Sequence, residues 1–327
     1  METVVSGIRS TGNLHLGNYY GALKNFIKMQ ESNRCLFFIA DLHSLTTHPT
    51  AENLHGNVQQ VLAEYLASGL DPEKATIFVQ SDIPEVSEMY VLLNMLAYIG
   101  ELERTASFKE KVRKHPHNVN AGLLTYPVLM AVDILIHKAT KVPVGKDQEQ
   151  HLEMTRVYAR RFNNMYNTPF FPEPDAYNFG SELIKIPGLD GSGKMGKSEG
   201  NGLYLMDDEA TIRKKVKKAV TDTGEKSDEM SEPVKNLFAI LNVVSTPEVV
   251  NHYKEAYAAG AIRYGDMKNQ LADDICKVTL PIRERILDIT KDGQYLYKVR
   301  KIGAEKARES AAKNLVEMKK IMGFKLL

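Results

Sequence analysis

Over the first ~165 residues, short apolar runs alternate with longer stretches whose apolar positions recur every three or four residues, a strand–helix alternation. Thr3 to Ile8 reads as a buried strand, followed by a Gly-containing turn and a helical stretch from Asn18 to about Ser32. Cys35-Leu-Phe-Phe-Ile-Ala40 is a second strand ending at Asp41. Ala51 to Ser68 is helical, with Thr50 as N-cap and Gly69 as stop. Ala75 to Gln80 is a third strand, Val86 to Tyr98 a helix, and Lys141-Val-Pro-Val144 a short fourth strand before a helix from about Asp147 to Tyr166. Such alternation predicts an α/β fold with a doubly wound parallel sheet, whose ligands sit at the carboxyl ends of the strands.

After about Asn167 the pattern changes. Residues 168–180 are rich in Pro, Asn and aromatics and read as loop, and residues 188–202 hold six glycines. From Asp208 onward only helical patterns occur, broken near 221–233 and 244–247, so the second domain is expected to be all-α. Residues 296–327 read as a Lys-rich helix whose plainest role is a solvated amphipathic face.

Composition narrows this picture. At 327 residues the chain has length for about two domains. With 42 Lys+Arg against 41 Asp+Glu, its net charge of +1 argues against a purely electrostatic nucleic-acid binder, though not against a local basic face. No apolar run approaches the ~18 residues of a membrane helix. The start, Met1-Glu-Thr-Val-Val-Ser-Gly, has no secretory pattern, and two cysteines, Cys35 and Cys276, make neither a disulfide framework nor a zinc site. A cytosolic protein with no membrane partner and inert core cysteines is expected.

Three segments carry candidate chemistry. Ser10-Thr-Gly-Asn-Leu-His15-Leu-Gly17-Asn18 joins a predicted strand to a predicted helix. N–H groups at a helix start attract phosphate, and His15 and Asn18 add donors; equally, glycines at such a joint serve geometry. Gly188 to Gly202 contains Lys194-Met-Gly-Lys197-Ser198, two lysines flanking a glycine. That suits a clamp on a departing polyphosphate, or a flexible basic linker. Gly191-Ser-Gly-Lys-Met-Gly-Lys197-Ser198 also fits the P-loop string literally. A P-loop must run directly into a helix, and the Glu-Gly-Asn-Gly after Ser198 is poor helix.

The third segment, Gly122 to His137, places Tyr126, Met130, Asp133 and His137 at helical spacing on one face. A carboxylate on such an apolar face needs a donor, from an apolar ligand's N–H or O–H or from protein backbone. Val142-Pro-Val-Gly145-Lys-Asp147-Gln148-Glu-Gln-His151 follows, a strand end opening a helix, again suited to a ligand. Asp41-Leu-His43 sits at another strand end. Gly100 through Lys111 reads as a solvated helix with i,i+4 pairing.

Together these segments resemble the class I aminoacyl-tRNA synthetases. His15-Leu-Gly17-Asn18 resembles the first signature, His-Ile-Gly-His, in an Asn-ending form, and Lys194-Met-Gly-Lys197-Ser198 the second, Lys-Met-Ser-Lys-Ser. Ser6-Gly-Ile, Leu16-Gly-Asn-Tyr, Tyr98 to Arg104, Phe108-Lys-Glu-Lys111, Gly122 to Pro127, Leu129 to Leu135 and Val142 to Gln148 stand in the order of the bacterial-type tryptophanyl members. The resemblance covers essentially the whole chain.

It implies a Rossmann-like catalytic domain over 1–206, a helical anticodon-binding domain over 207–295, and a last helix, 296–327, returning to the first. It implies that Asp133 accepts the indole N–H, with Met130, Val142 and Val144 packing on the ring. Tyr126 and Gln148 would hold the amino group, and His43 would lie nearby. Arg9, Ser10, Thr11, Gly17 and Asn18 would line the ATP site with Gly145, Lys146 and Asp147. Backbone at Lys185 or Ile186 would touch adenine. Lys194, Met195, Gly196, Lys197 and Ser198 would bind ATP and grip the pyrophosphate. His15, Asn18, Lys194, Lys197 and Ser198 would be the catalytic set. The resemblance further implies Mg²⁺ held mainly by ATP, tRNA(Trp) as second substrate, and a homodimer. Four positions depart from the family pattern: Gly196 for Ser, which predicts a floppier loop; Lys146 for an acidic residue; Arg9 for Gln; and Val5 for an aromatic. A tyrosyl-type synthetase shares the architecture, but the Leu-Met-Ala-Val-Asp spacing argues against it. A non-catalytic RNA-binding paralogue is favoured only by the altered loop.

Overall fold

The computed structural model describes residues 1–114, 116–145, 148–177, 186–196, 200–223 and 229–325. Five parallel strands form one sheet in the order β3-β2-β1-β4-β5. They are β1 (Thr3–Ile8), β2 (Arg34–Ile39), β3 (Ala75–Val79), β4 (Lys141–Val142) and β5 (Asp175–Ala176). The order reverses at β1, from which the chain runs outward first to β2 and β3 and then to β4 and β5. This doubly wound topology places a ligand crevice at the carboxyl end of β1. β5 falls inside the stretch read as loop. Two residues on a sheet edge, one of them an Asp joined to Lys141 at 2.9 Å, show no strand periodicity for a sequence reading to find.

Alternation along the strands divides the core. Val5, Leu36, Phe38 and Phe78 face one side, and Val4, Phe37, Ile39 and Ile77 the other. Both faces are covered, which is why these strands read as continuous apolar runs. After β1 come α1 (Leu16–Asn18), a π-helical turn (Tyr19–Leu23) and α2 (Lys24–Met29), where one helix was expected. Next are α3 (Asp41–Ser44) and α4 (Ala51–Ser68), the latter capped by Thr50 and stopped by Gly69 as read. Then follow α5 (Pro84–Asn94), α6 (Ile99–Leu102), α7 (Ala106–Lys114), α8 (Ala121–Leu135) and α9 (Glu149–Met165).

Beyond residue 208 the described elements are all helical: α10 (Glu209–Lys217), α11 (Glu232–Val244), α12 (Pro247–Ala258), α13 (Tyr264–Lys291) and α14 (Gly293–Ile321). α13 serves two cores. Leu271 and Ile275 pack with α10 and α11, while Ile282 and Ile286 join the apolar layer under α4. α14 returns along β3 and α5, held by Arg300 on Asp82, Arg308 on Glu85 and Asn314 on the Ile136 carbonyl. Its face toward the sheet is therefore not solvated, contrary to the plain reading of that Lys-rich stretch. No described helix is long and apolar enough to cross a membrane.

Candidate active site

The first loop leaves β1 at Ile8, whose N–H donates to the Tyr65 hydroxyl. Ser10 is buried, with its hydroxyl 3.1 Å from that of Ser44, while Arg9 and Thr11 are more open. Gly12 takes φ 107°, a left-handed turn suited to glycine. His15 and Asn18 then cap α1 reciprocally. His15 N–H donates to Asn18 Oδ1 at 3.1 Å, and Asn18 N–H donates to His15 Nδ1 at 3.2 Å. A Cβ on Gly17 would lie 2.9 Å from the imidazole, so the capping ring needs glycine there. Because Nδ1 accepts, the neutral ring carries its proton on Nε2.

The second loop is tied directly to the first. Leu16 N–H donates to the Leu203 carbonyl and Leu205 N–H to the Leu14 carbonyl, each at 2.9 Å, an antiparallel bridge pairing His15 with Tyr204. Within the glycine-rich segment, Asn201 acts as a staple. Its amide nitrogen donates to Asp190, to the Ser192 hydroxyl and to the Lys194 carbonyl, and its oxygen accepts Gly196 N–H at 3.0 Å. The backbone at Gly196, expected to be floppy, is thus held up to that residue. Ser192 draws the Asp190 carboxyl below its ordinary range. Met195 and Ile186 are buried side chains joined through their backbones, so only main chain there can meet a nucleotide; Lys194 is exposed. Residues 200–208 contain no helix and Gly200 has φ 67°, which excludes the P-loop reading. Lys146, Asp147, Lys185, Lys197 and Ser198 lie outside the described residues.

The carboxylate of α8 is held by side chains rather than backbone. Asp133 is buried; His43 Nε2 lies 2.9 Å from its Oδ2, and Gln80 Nε2 donates to its Oδ1 at 2.7 Å. A carboxylate only accepts, so His43 holds a proton on Nε2. Burial raises the Asp133 pKa, and the His43 and Gln80 bonds oppose the rise. Each oxygen retains a further lone-pair site for a ligand N–H. His43 in α3 and Gln80 follow the carboxyl ends of β2 and β3, where Asp41 also accepts Ser81 N–H at 3.0 Å.

Tyr126 lies 6.4 Å from the His43 ring and begins a relay. Its hydroxyl donates to Ser107 Oγ at 2.6 Å; Ser107 Oγ and the Tyr126 oxygen lie 2.9 and 2.7 Å from His151 Nε2. His151 Nδ1 in turn lies 2.9 Å from Gln148 Oε1. The two residues assigned to an amino group therefore sit on one buried imidazole. Lys111 Nζ stands 3.7 Å over the Tyr126 ring. Burial, reinforced by the Arg9 charge, pushes the Lys111 ammonium down to about 8, so this residue is no solvated helix position. Met130, Val144 and Gly145 are half-buried and Val142 buried. A cleft of about 300 Å³ opens beside Tyr126 between Leu42, Leu45, Tyr90 and Leu129.

His137 leaves this group. It lies past the end of α8, and its Nδ1 is 2.7 Å from Ser310 Oγ of α14. The spacing from Tyr126 carries His137 one turn beyond Asp133, where it meets α14 instead of the Asp133 cluster. Gln80, Lys111, Ser107, His151 and Asn201 are the site residues that sequence reasoning passed over. Their types are common: Lys111 stands inside Phe108-Lys-Glu-Lys111, His151 just after Gln148 and Asn201 in the glycine-rich segment, yet nothing in those strings sets them apart.

The class I tRNA synthetases (W and Y) match residues 2–278. A tryptophan–tRNA ligase of Porphyromonas gingivalis is 63% identical, over 99% of this chain and 100% of that one. One from Clostridium tetani is 42% identical, over 99% and 96%. The solved tryptophanyl-tRNA synthetase of Campylobacter jejuni, complexed with ADP and tryptophan, superposes with a TM-score of 0.87 at 33% identity, covering 98% of this chain and 100% of that chain. With the signature loops joined at the carboxyl edge of a doubly wound sheet, this chain belongs to the class I tRNA synthetases of the tryptophan and tyrosine type.

Proposed function

We infer that the chain activates L-tryptophan with ATP and transfers it to tRNA(Trp). The observation that carries this reading is the buried Asp133, an acceptor in an apolar wall fixed at both oxygens by His43 and Gln80. A site built around one acceptor favours a side chain bearing one N–H and rejects analogues lacking it. The near-complete match to tryptophan–tRNA ligases supports the same substrate.

The chemistry follows from the parts. The amino acid's carboxylate attacks the α-phosphorus of ATP in line and expels pyrophosphate; a ribose hydroxyl at the 3′ end of the tRNA then attacks the acyl carbon of the adenylate, and AMP leaves. The nucleophile is already ionised, so positioning and charge neutralisation carry the first step. Tyr126 and Gln148 hold the ammonium, Met130, Val142 and Val144 pack on the indole, and His43 keeps Asp133 in place. Arg9, Ser10, Thr11, Gly17, Asn18, Gly145, Lys146 and Asp147 line the nucleotide, with main chain at Lys185 or Ile186 toward adenine. His15 and Asn18 present donors to phosphoryl oxygens, while Lys194 through Ser198 close on the pyrophosphate. No group of three or more His, Cys, Asp or Glu fit to hold a metal occurs among the described residues. The donors present are N–H groups and ammonium ions, which suit phosphate rather than a cation. Mg²⁺ would therefore arrive on the ATP oxygens and offset their charge.

The reading divides the chain into a catalytic part, 1–206, an anticodon-reading part, 207–295, and a returning helix, 296–327, and sets it in the cytoplasm. It also makes the protein a homodimer. In support, Val91, Met95, Tyr98 and Ile99 form an exposed apolar group around the end of α5, and an isolated monomer rarely leaves such a patch bare.

ATP–pyrophosphate exchange with each of the twenty amino acids, without tRNA, tests the function. Exchange with tryptophan only is the expected result. Exchange with tyrosine would reassign the pocket, and no exchange from folded protein would overturn activation.

A further inference from the structure

Glu64 lies near the C-terminal end of α4 with none of its surface exposed, among Val61, Leu62 and Leu66 of the apolar layer. A carboxylate withdrawn from water is unfavourable unless its oxygens find donors, whereas an apolar residue would pack there freely. Its Oε1 accepts from Gln60 Nε2 at 3.1 Å, and its Oε2 accepts the N–H of Leu14 at 3.0 Å. Leu14 is itself buried and immediately precedes His15, and its carbonyl accepts Leu205 N–H. The peptide leading into the first signature is therefore gripped from two sides, by a helix side chain and by the segment following the second loop.

We propose that Glu64 is a positioning residue for ATP activation: by holding Leu14 N–H it sets where His15 and Asn18 stand relative to the nucleotide phosphates. The proposal rests on the ATP-dependent reading given above. A buried carboxylate suits this task because both oxygens must be satisfied, so it admits little variation in the height of the loop above α4. Displacements of even 1 Å in a positioning loop are costly to phosphoryl transfer.

The test is tryptophan-dependent ATP–pyrophosphate exchange by the full-length chain, with thermal melting alongside. Glu64→Leu should raise the ATP KM about tenfold or more and lower kcat, with the tryptophan KM moved by less than about twofold. Glu64→Gln, whose Oε1 still accepts from Leu14, should restore the native values. Glu64→Asp keeps the charge but withdraws the acceptor by one methylene; it should behave as Glu64→Leu, and it carries the test should that variant not fold. A Glu64→Leu enzyme that melts earlier yet keeps its ATP KM and kcat overturns the proposal. So does a Glu64→Gln enzyme as impaired as Glu64→Leu, or a Glu64→Asp enzyme equal to the native one. Absence of exchange in the unaltered protein would instead overturn the activation reading.

Discussion

His43 Nε2 lies 2.9 Å from Asp133 Oδ2, joining α3 to the last turn of α8 across 90 residues of chain. The contact fixes the direction in which a buried acceptor points. Replacing Asp133 by Ala removes that acceptor and leaves His43 and Gln80 without their shared partner. The variant should lose tryptophan-over-phenylalanine discrimination by about 1–3 kcal/mol or more. Steady-state exchange with both amino acids checks this, and unchanged discrimination refutes the assignment.

Lys111 sets an alkaline limit. Its ammonium titrates at about 8, so the cation over Tyr126 is present below that pH and lost above it. Exchange should therefore decline as pH rises from 7 to 9, through weaker binding of anionic substrate. Lys111→Arg, charged throughout, should extend the plateau. A native profile flat to pH 10 would count against the role.

His137 controls acid stability instead. Burial pushes its imidazole from 6.5 down to about 3, so between those values the unfolded chain holds the extra proton. Stability from this group is complete above pH 6.5 and falls as the pH drops toward 3, by on the order of a few kcal/mol. Urea unfolding at pH 7, 5.5 and 4 should show the slope, and His137→Asn should flatten it. Identical slopes would disprove the linkage.

The pyrophosphate clamp predicts a rate effect without a binding effect. Lys197→Ala should cut the activation rate, with tryptophan affinity, read by equilibrium titration, nearly unchanged. Normal turnover would show that Lys197 plays no part in the step.

Two glycines should respond oppositely to alanine. A Cβ at Gly303 would meet the Ile77 carbonyl oxygen at 1.7 Å, so Gly303→Ala must push α14 off β3 and lower the melting temperature. Gly56, inside α4, has nothing within 4 Å of that position, and Gly56→Ala should stabilise by about 0.5–1 kcal/mol. Differential scanning calorimetry separates the two, and a neutral Gly303→Ala would contradict the close helix–strand approach.

Local chemistry was readable residue by residue. Thr50 and Gly69 bound α4 because a cap and a stop act on the few residues beside them. The strands of the sheet's centre announced themselves because both faces are buried, so every position is apolar. β5 did not, since at a sheet edge two residues, an Asp and an Ala, suffice. The π-helical turn at Tyr19–Leu23 also escaped, because five residues make barely one turn and show no period of their own. Both signature loops were legible as motifs, for their glycines and lysines lie close together in the chain.

What joins those loops was not legible. Leu14, Leu16, Leu203 and Leu205 meet through backbone N–H and carbonyl groups, which every residue possesses and no residue type advertises. Gln80, Glu64 and Asn201 find hydrogen-bond partners far along the chain or across a loop through packing, and a single Gln, Glu or Asn carries no mark of such a partner. Composition and periodicity settle which elements form, because those depend on neighbours three or four residues away. Which buried polar atoms meet depends on how the elements pack, and there a carboxylate's need for donors is met by whatever the fold brings within 3 Å.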